Sequence, residues 1–148
     1  MRILSLIFIL TLSLTNCKEK PKMPPFEKIQ QKFKNGAVSR EFETIGGKIE
    51  GPMTEYYPSG KVKCQRNFVN NNEIGRTVYF FETGTIKEVQ HYENGKRIDF
   101  DTVFYKSGKV RFVSEFKDGV NNGIFKEYDE TGAVLDEQMF ENGKRLEK

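Results

Sequence analysis

Tryptophan is absent from this sequence of 148 residues, histidine occurs once, and cysteine occurs twice. With His91 as the only imidazole, sites built from several histidines are excluded, and no His, Cys, Asp or Glu cluster has metal-ligand spacing. Asp99-Phe100-Asp101 reads as a solvated strand rather than a calcium site. His91 occupies a position where the other repeats described below carry Asn67, Glu115 and Met139, which marks it as a surface residue. Two cysteines cannot form a disulfide framework. There is no Gly-rich phosphate loop, and no serine or cysteine has a base nearby in sequence. Charge of one sign is missing as well: 24 Lys and Arg against 21 Asp and Glu leave +3, spread along the chain apart from a basic run between Lys18 and Lys34. No metal or cofactor is expected, and neither is a nucleic-acid partner.

Long apolar runs are lacking, with one exception. Ile3 to Leu14, just after Arg2, is an apolar stretch of twelve residues, shorter than the roughly 20 that a membrane-spanning helix needs. The charged-then-apolar order is that of a secretory signal. Leu14-Thr15-Asn16-Cys17 resembles the bacterial lipobox, in which the cysteine thiol is alkylated by a diacylglyceryl group and the chain is cut just before it. Asn16 departs from the usual Gly, Ala or Ser. The resemblance implies a signal peptide over 1–16 and a lipid anchor at Cys17, the acyl chains holding the protein on a membrane. Pro21, Pro24 and Pro25 among lysines favour extended backbone, so residues 17–32 are expected to be a tether. With Cys17 lipidated, Cys64 would be the sole thiol, best read as a small buried hydrophobe.

What the chain has in abundance is regularly placed glycine. Gly36, Gly60, Gly84, Gly108 and Gly132 are each 24 residues apart, and Gly47, Asn71, Gly95, Gly119 and Gly143 follow the same period. A third register, Gly51, Gly75, Asp99 and Gly123, trails the second by four. Self-similarity at a fixed period signals a repeat architecture. The first series sits in Tyr-Pro-Ser-Gly-Lys, Phe-Glu-Thr-Gly-Thr, Tyr-Lys-Ser-Gly-Lys and Asp-Glu-Thr-Gly-Ala, which predict three-residue hairpin loops. The second includes Glu-Asn-Gly-Lys twice and Lys-Asp-Gly-Val once, strong two-residue hairpin signals.

Between turns there is room for strands of seven or eight residues. After each first-series glycine come apolar residues at offsets two and eight, namely Val62 and Phe68, Ile86 and Tyr92, Val110 and Phe116, Val134 and Phe140. An even separation predicts a shared face, which would also hold Cys64. Before each such glycine stand Tyr56, Phe80, Phe104 and Tyr128, with Tyr57, Phe81 and Tyr105 beside the first three. In an antiparallel meander the first set falls two strands apart, forming a ladder of rings with Val or Ile between them.

Residues 50–63, Glu-Gly-Pro-Met-Thr-Glu-Tyr-Tyr-Pro-Ser-Gly-Lys-Val-Lys, and 122–134, Asn-Gly-Ile-Phe-Lys-Glu-Tyr-Asp-Glu-Thr-Gly-Ala-Val, resemble variant MORN repeats. In bacteria such proteins are often grouped as YwqK antitoxin-like. The resemblance covers about residues 33–146. Members commonly carry Trp two places after the third-series glycine, where this sequence has Met53, Thr77, Asp101 and Phe125. It implies an elongated hairpin array used for protein or lipid contacts, with no family catalytic residue to carry over.

The resulting expectation is an all-β chain: an elongated antiparallel meander over 33–148, preceded by a signal helix and an extended linker. As a function it predicts a membrane-anchored lipoprotein of the bacterial cell envelope, a non-catalytic binding or structural module. The candidate surface is Tyr56, Tyr57, Phe80, Phe81, Phe104, Tyr105 and Tyr128, facing a protein or envelope partner. The alternative is a cytoplasmic antitoxin-like inhibitor of a partner toxin. An enzyme using paired carboxylates, such as Glu41 with Glu43 or Glu137 with Glu141, would require an acidic cleft.

Overall fold

The structure, a computed structural model, describes residues 23–147. Eleven strands pair antiparallel in chain order and make one open sheet. They are β1 (Phe26–Lys32), β2 (Val38–Ile45), β3 (Lys48–Tyr56), β4 (Val62–Val69), β5 (Asn72–Phe80), β6 (Ile86–Glu93), β7 (Lys96–Phe104), β8 (Val110–Lys117), β9 (Val120–Tyr128), β10 (Val134–Glu141) and β11 (Lys144–Arg145). No helix occurs among the described residues. The expected signal segment 1–16 and Cys17 lie outside them.

The sheet starts earlier than expected. Phe26–Lys32, assigned above to the tether, forms β1, with Phe26 opposite Ile45 and Ile29 opposite Phe42. The Gly46 amide also donates to the Pro25 carbonyl at 2.9 Å. Apolar partners and satisfied backbone groups hold this stretch in the sheet despite its lysines. Residues 17–22 of the proposed tether fall outside the described residues.

Both turn chemistries follow the expected pattern. In the turn at 57–61 the Gly60 amide donates to the Tyr57 carbonyl and the Tyr57 amide to the Lys61 carbonyl, both at 2.8 Å, and the same pair of bonds recurs at 33–37, 81–85, 105–109 and 129–133. Gly60 sits at φ +83°, where a Cβ would be strained. The opposite edge has two-residue loops in which both residues have positive φ, for example Asn94 at +50° and Gly95 at +78°. Such turns match the twist of the strands they join. Each also ties one repeat to the one before: the Gly95 amide reaches the Glu73 carbonyl and the Gly119 amide the Arg97 carbonyl, both at 2.9 Å.

Bulges recur with the same period. Glu55 faces Cys64, but the next pair is Tyr56 with Val62, leaving Lys63 as an extra residue. Lys87, Arg111 and Leu135 are its equivalents. The extra residue reverses the alternation, so Val62 shares the face of Tyr56 while Cys64 and Phe68 point the other way. The expectation that Val62, Cys64 and Phe68 lie on one face is thereby corrected, and the same holds at Ile86, Val110 and Val134. A second bulge lies at the third-series positions, where Gly51, Gly75, Asp99 and Gly123 all have positive φ. Asp99 adopts it at +56° despite its side chain.

Substantial contacts join only neighbouring strands, so among the described residues no second layer covers the sheet. The buried residues are correspondingly few and mixed: Met53, Cys64, Val78 and Val89, with Thr44, Thr77, Gln90, Asp101 and Ser114. The polar ones outnumber the apolar, which is the signature of side chains closing over one another on a single sheet.

Candidate binding faces of the repeat sheet

Cross-strand pairing sorts the side chains onto two faces, since residues directly opposite one another point the same way. One face, here the Tyr56 face, carries Thr54, Gln65, Val78, Val89, Thr102, Val113 and Lys126 in one row. Beside it runs the ring ladder: Tyr56 opposite Val62, Phe80 opposite Ile86, Phe104 opposite Val110, Tyr128 opposite Val134. The four rings are half-buried. Tyr56 donates its hydroxyl to Glu41. That bond raises the Tyr56 pKa and holds the Glu41 carboxyl below its ordinary value.

The neighbouring rings do different work. Tyr57, Phe81 and Tyr105 open the turns, and all three are half-buried. The Tyr57 hydroxyl donates to the Phe80 carbonyl at 2.7 Å, and the Tyr105 hydroxyl to the Tyr128 carbonyl at 2.8 Å. Both thus brace one turn against the next repeat. Phe81 has no hydroxyl to do the same. Asp129, the fourth equivalent, instead accepts from the Thr131 hydroxyl at 2.6 Å and from the Ala133 and Thr131 amides at 3.0 and 2.7 Å, and these bonds, the hydroxyl's foremost, hold its carboxyl below the usual range.

Two clefts open on the Tyr56 face between braced turns. One, of about 530 Å³, is lined by Lys61, Val62, Gln65, Phe80 and Thr83 between the Gly60 and Gly84 loops. The other, of about 550 Å³, is lined by Lys109, Val110, Val113, Tyr128 and Thr131 between the Gly108 and Gly132 loops. Every lining position of the second is the first plus 48. The second cleft is thus the first displaced by two repeats. Both are shallow and open to solvent rather than enclosed.

The opposite, Cys64 face is a polar network. Its middle row holds Met53, Thr77, Asp101 and Ser114, all at 5% exposure or less, and leads to the half-buried Phe125. Around Cys64, which is fully buried as expected of a small hydrophobe, Arg66 donates from Nε to Sγ and from Nη2 to the Tyr79 hydroxyl, each at 3.2 Å. Glu55 bridges Arg40 at 3.1 Å and Arg66 at 3.5 Å. Burial pushes the Cys64 thiol up and Tyr79 to about 12, so neither ionises near neutral pH. Further along, Tyr92 donates to Gln90 at 2.9 Å and accepts from Arg97 Nε at 3.3 Å, and the Arg97 guanidinium stacks 5.1 Å from the Phe116 ring centre.

Asp101 is the exception in this network. Arg97 Nη1 lies 2.9 Å from its Oδ2, a charge contact without hydrogen-bond alignment, and neither carboxylate oxygen receives a hydrogen bond. Burial pushes its pKa up to about 6, against the opposing pull of Arg97. The sequence reading took Asp101 for a solvated strand residue. What it missed is that the third-series bulge turns this position inward, and the only signal available was its alignment with Met53 and Thr77. His91, half-buried on β6, has Nδ1 3.2 Å from the Phe100 carbonyl oxygen. Of the paired carboxylates, Glu41 and Glu43 both line a small groove of about 110 Å³ with Lys28, and Glu137 ion-pairs with Lys126 at 3.3 Å.

No curated protein matches the chain. The MORN repeat variant matches at residues 49–70, 73–94 and 121–142. These segments are in register with the 24-residue lattice, and 97–118, one period after 73–94, folds into the same pair of strands, β7 and β8, with Asp99 in place of the bulge glycine. The chain thus carries repeats of the MORN variant, which join with the strands around them into one continuous sheet.

Proposed function

We propose that this protein is a lipid-anchored module of the bacterial cell envelope, held at Cys17, whose repeat sheet binds a protein or envelope partner without catalysing a reaction. The observation that carries the binding part is the Tyr56 face: rings and aliphatic side chains alternate along it, with no second layer over it among the described residues, and clefts recur on it. Among the described residues, the one carboxylate that burial strongly perturbs, Asp101, lies on the other face.

The anchoring part rests on the apolar run 3–14, the Leu-Thr-Asn-Cys box and the lysine-proline stretch after it. Eight residues separate Cys17 from β1, starting at Phe26. At ~3.1 Å per extended residue the sheet would stand roughly 25 Å from the lipid. The test is the mass of the amino-terminal peptide of the native protein after detergent extraction of whole cells. A peptide beginning at acylated Cys17 is expected, with Cys17→Ser moving the protein to the soluble fraction. An unmodified Met1 peptide in the soluble fraction would overturn the anchor and favour a cytoplasmic inhibitor.

A further inference from the structure

We infer that the two equivalent clefts on the Tyr56 face are paired subsites for an extended acidic peptide, each taking one apolar side chain with a carboxylate beside it. The inference deepens the binding reading above and rests on it.

Duplication is the first observation. Gly-Lys-Val at 60–62 and 108–110, from the matching turns Tyr-Pro-Ser-Gly-Lys and Tyr-Lys-Ser-Gly-Lys, forms one wall of each cleft, and Thr-Gly at 83–84 and 131–132 forms the other. The intervening turn, Phe81 to Thr85, keeps the same backbone bonds but has Phe81 where its neighbours have a bracing tyrosine. The Tyr57 and Tyr105 hydroxyls hold each cleft's two walls together through the carbonyl of its ring residue. Side chains preorganised in this way lose little freedom when a ligand arrives.

The lining then selects the occupant. Val62 or Val110 and the ring of Phe80 or Tyr128 offer apolar surface. The threonines are already engaged, Thr83 with Thr85 and Thr131 with Asp129 at 2.6 Å. Gln65 in one cleft becomes Val113 in the other, so no amide is common to both. A sugar, which must satisfy many hydroxyls, finds too few partners. The charged group shared by both linings is a lysine, Lys61 or Lys109. Lys109 gives one of its protons to the Glu130 carbonyl at 2.5 Å and keeps two for a ligand.

The spacing sets the ligand's length. The clefts are four strands apart, about 19 Å at ~4.8 Å per strand, which an extended peptide covers in about six residues. The probe is therefore a fluorescent peptide with two Phe-Asp units whose phenylalanines are six residues apart, joined by Ser and Thr. Binding to the full chain is read by anisotropy and by amide shifts in NMR spectra. The paired probe is expected to bind at least tenfold more tightly than one with a single unit, because the second contact is intramolecular. Lys61→Glu with Lys109→Glu, both at exposed turn positions, should abolish that gain, and a Phe-Lys version of the probe should recover it on this variant. Equal binding of the single and paired probes would overturn the two-subsite assignment. Shifts confined to the Cys64 face would also overturn it while leaving the sheet a binding module. Silence toward the peptides with charge-dependent binding of anionic phospholipid vesicles would assign the face to lipid instead. Silence toward both would count against the binding reading itself.

Discussion

The same eleven strands produce two unlike faces. On the Cys64 face, charged and polar side chains close over a buried row and bond to one another; on the Tyr56 face Val78 and Val89 are buried, but the rings stay half-open and border clefts. Among the described residues neither face has a covering layer, yet Thr77 is fully buried and Phe104 is not. The difference teaches that burial in this sheet comes from the length and bonding of flanking side chains. Arg66, Tyr79, Tyr92 and Arg97 are long enough to fold across the short residues between them, whereas the ring ladder alternates with short Val and Ile and leaves gaps.

The contrast breaks most sharply at Arg97. Replacing it with Met removes the guanidinium from Phe116 and Tyr92 and strips Asp101 of its countercharge, an expected loss of about 3 kcal/mol at pH 7 in urea unfolding. That loss should shrink in acid, where Asp101 is protonated. Next comes Asp101 itself. Its carboxyl titrates at about 6 in the folded chain against an ordinary 3.8. Between those values the folded state holds the extra proton, so this group's contribution makes stability fall as pH rises from 3.8 to about 6 and level off above. Over that window the parent should lose about 2 kcal/mol relative to Asp101→Asn, which lacks the titrating group. Parallel curves for the two would place Asp101 in solvent. The smallest effect belongs to the open face: Phe104→Ala, at a half-buried ring, should lower stability by about 1 to 2 kcal/mol, measured by the same unfolding curves. A loss as large as that at Arg97 would erase the distinction between the faces.

Much of this architecture was legible before any coordinates. The Asn-Gly, Asp-Gly and Ser-Gly or Thr-Gly pairs specify their turns locally, because a positive φ depends on the residue that adopts it. Their 24-residue spacing then predicts strand length and order. The ring ladder followed from the same arithmetic, and Cys64 was read correctly as buried. Face assignment beyond the ladder was not legible. A bulge at Lys63, Lys87, Arg111 or Leu135 shifts every later residue to the other side, and nothing in those side chains announces an extra residue. The start of the sheet was hidden too, since Lys28 and Lys32 mask the apolar pairing of Phe26 and Ile29.

What the sequence determined by itself is the set of turns, the repeat period and the all-β meander, each a consequence of short-range backbone preference repeated at equal intervals. Only the tertiary structure decided which side chains meet: the clefts built by turns two strands apart, the bond from Tyr57 to Phe80, the burial of Asp101 beside Arg97. Those contacts depend on register summed over several strands, where one bulge residue outweighs any local propensity.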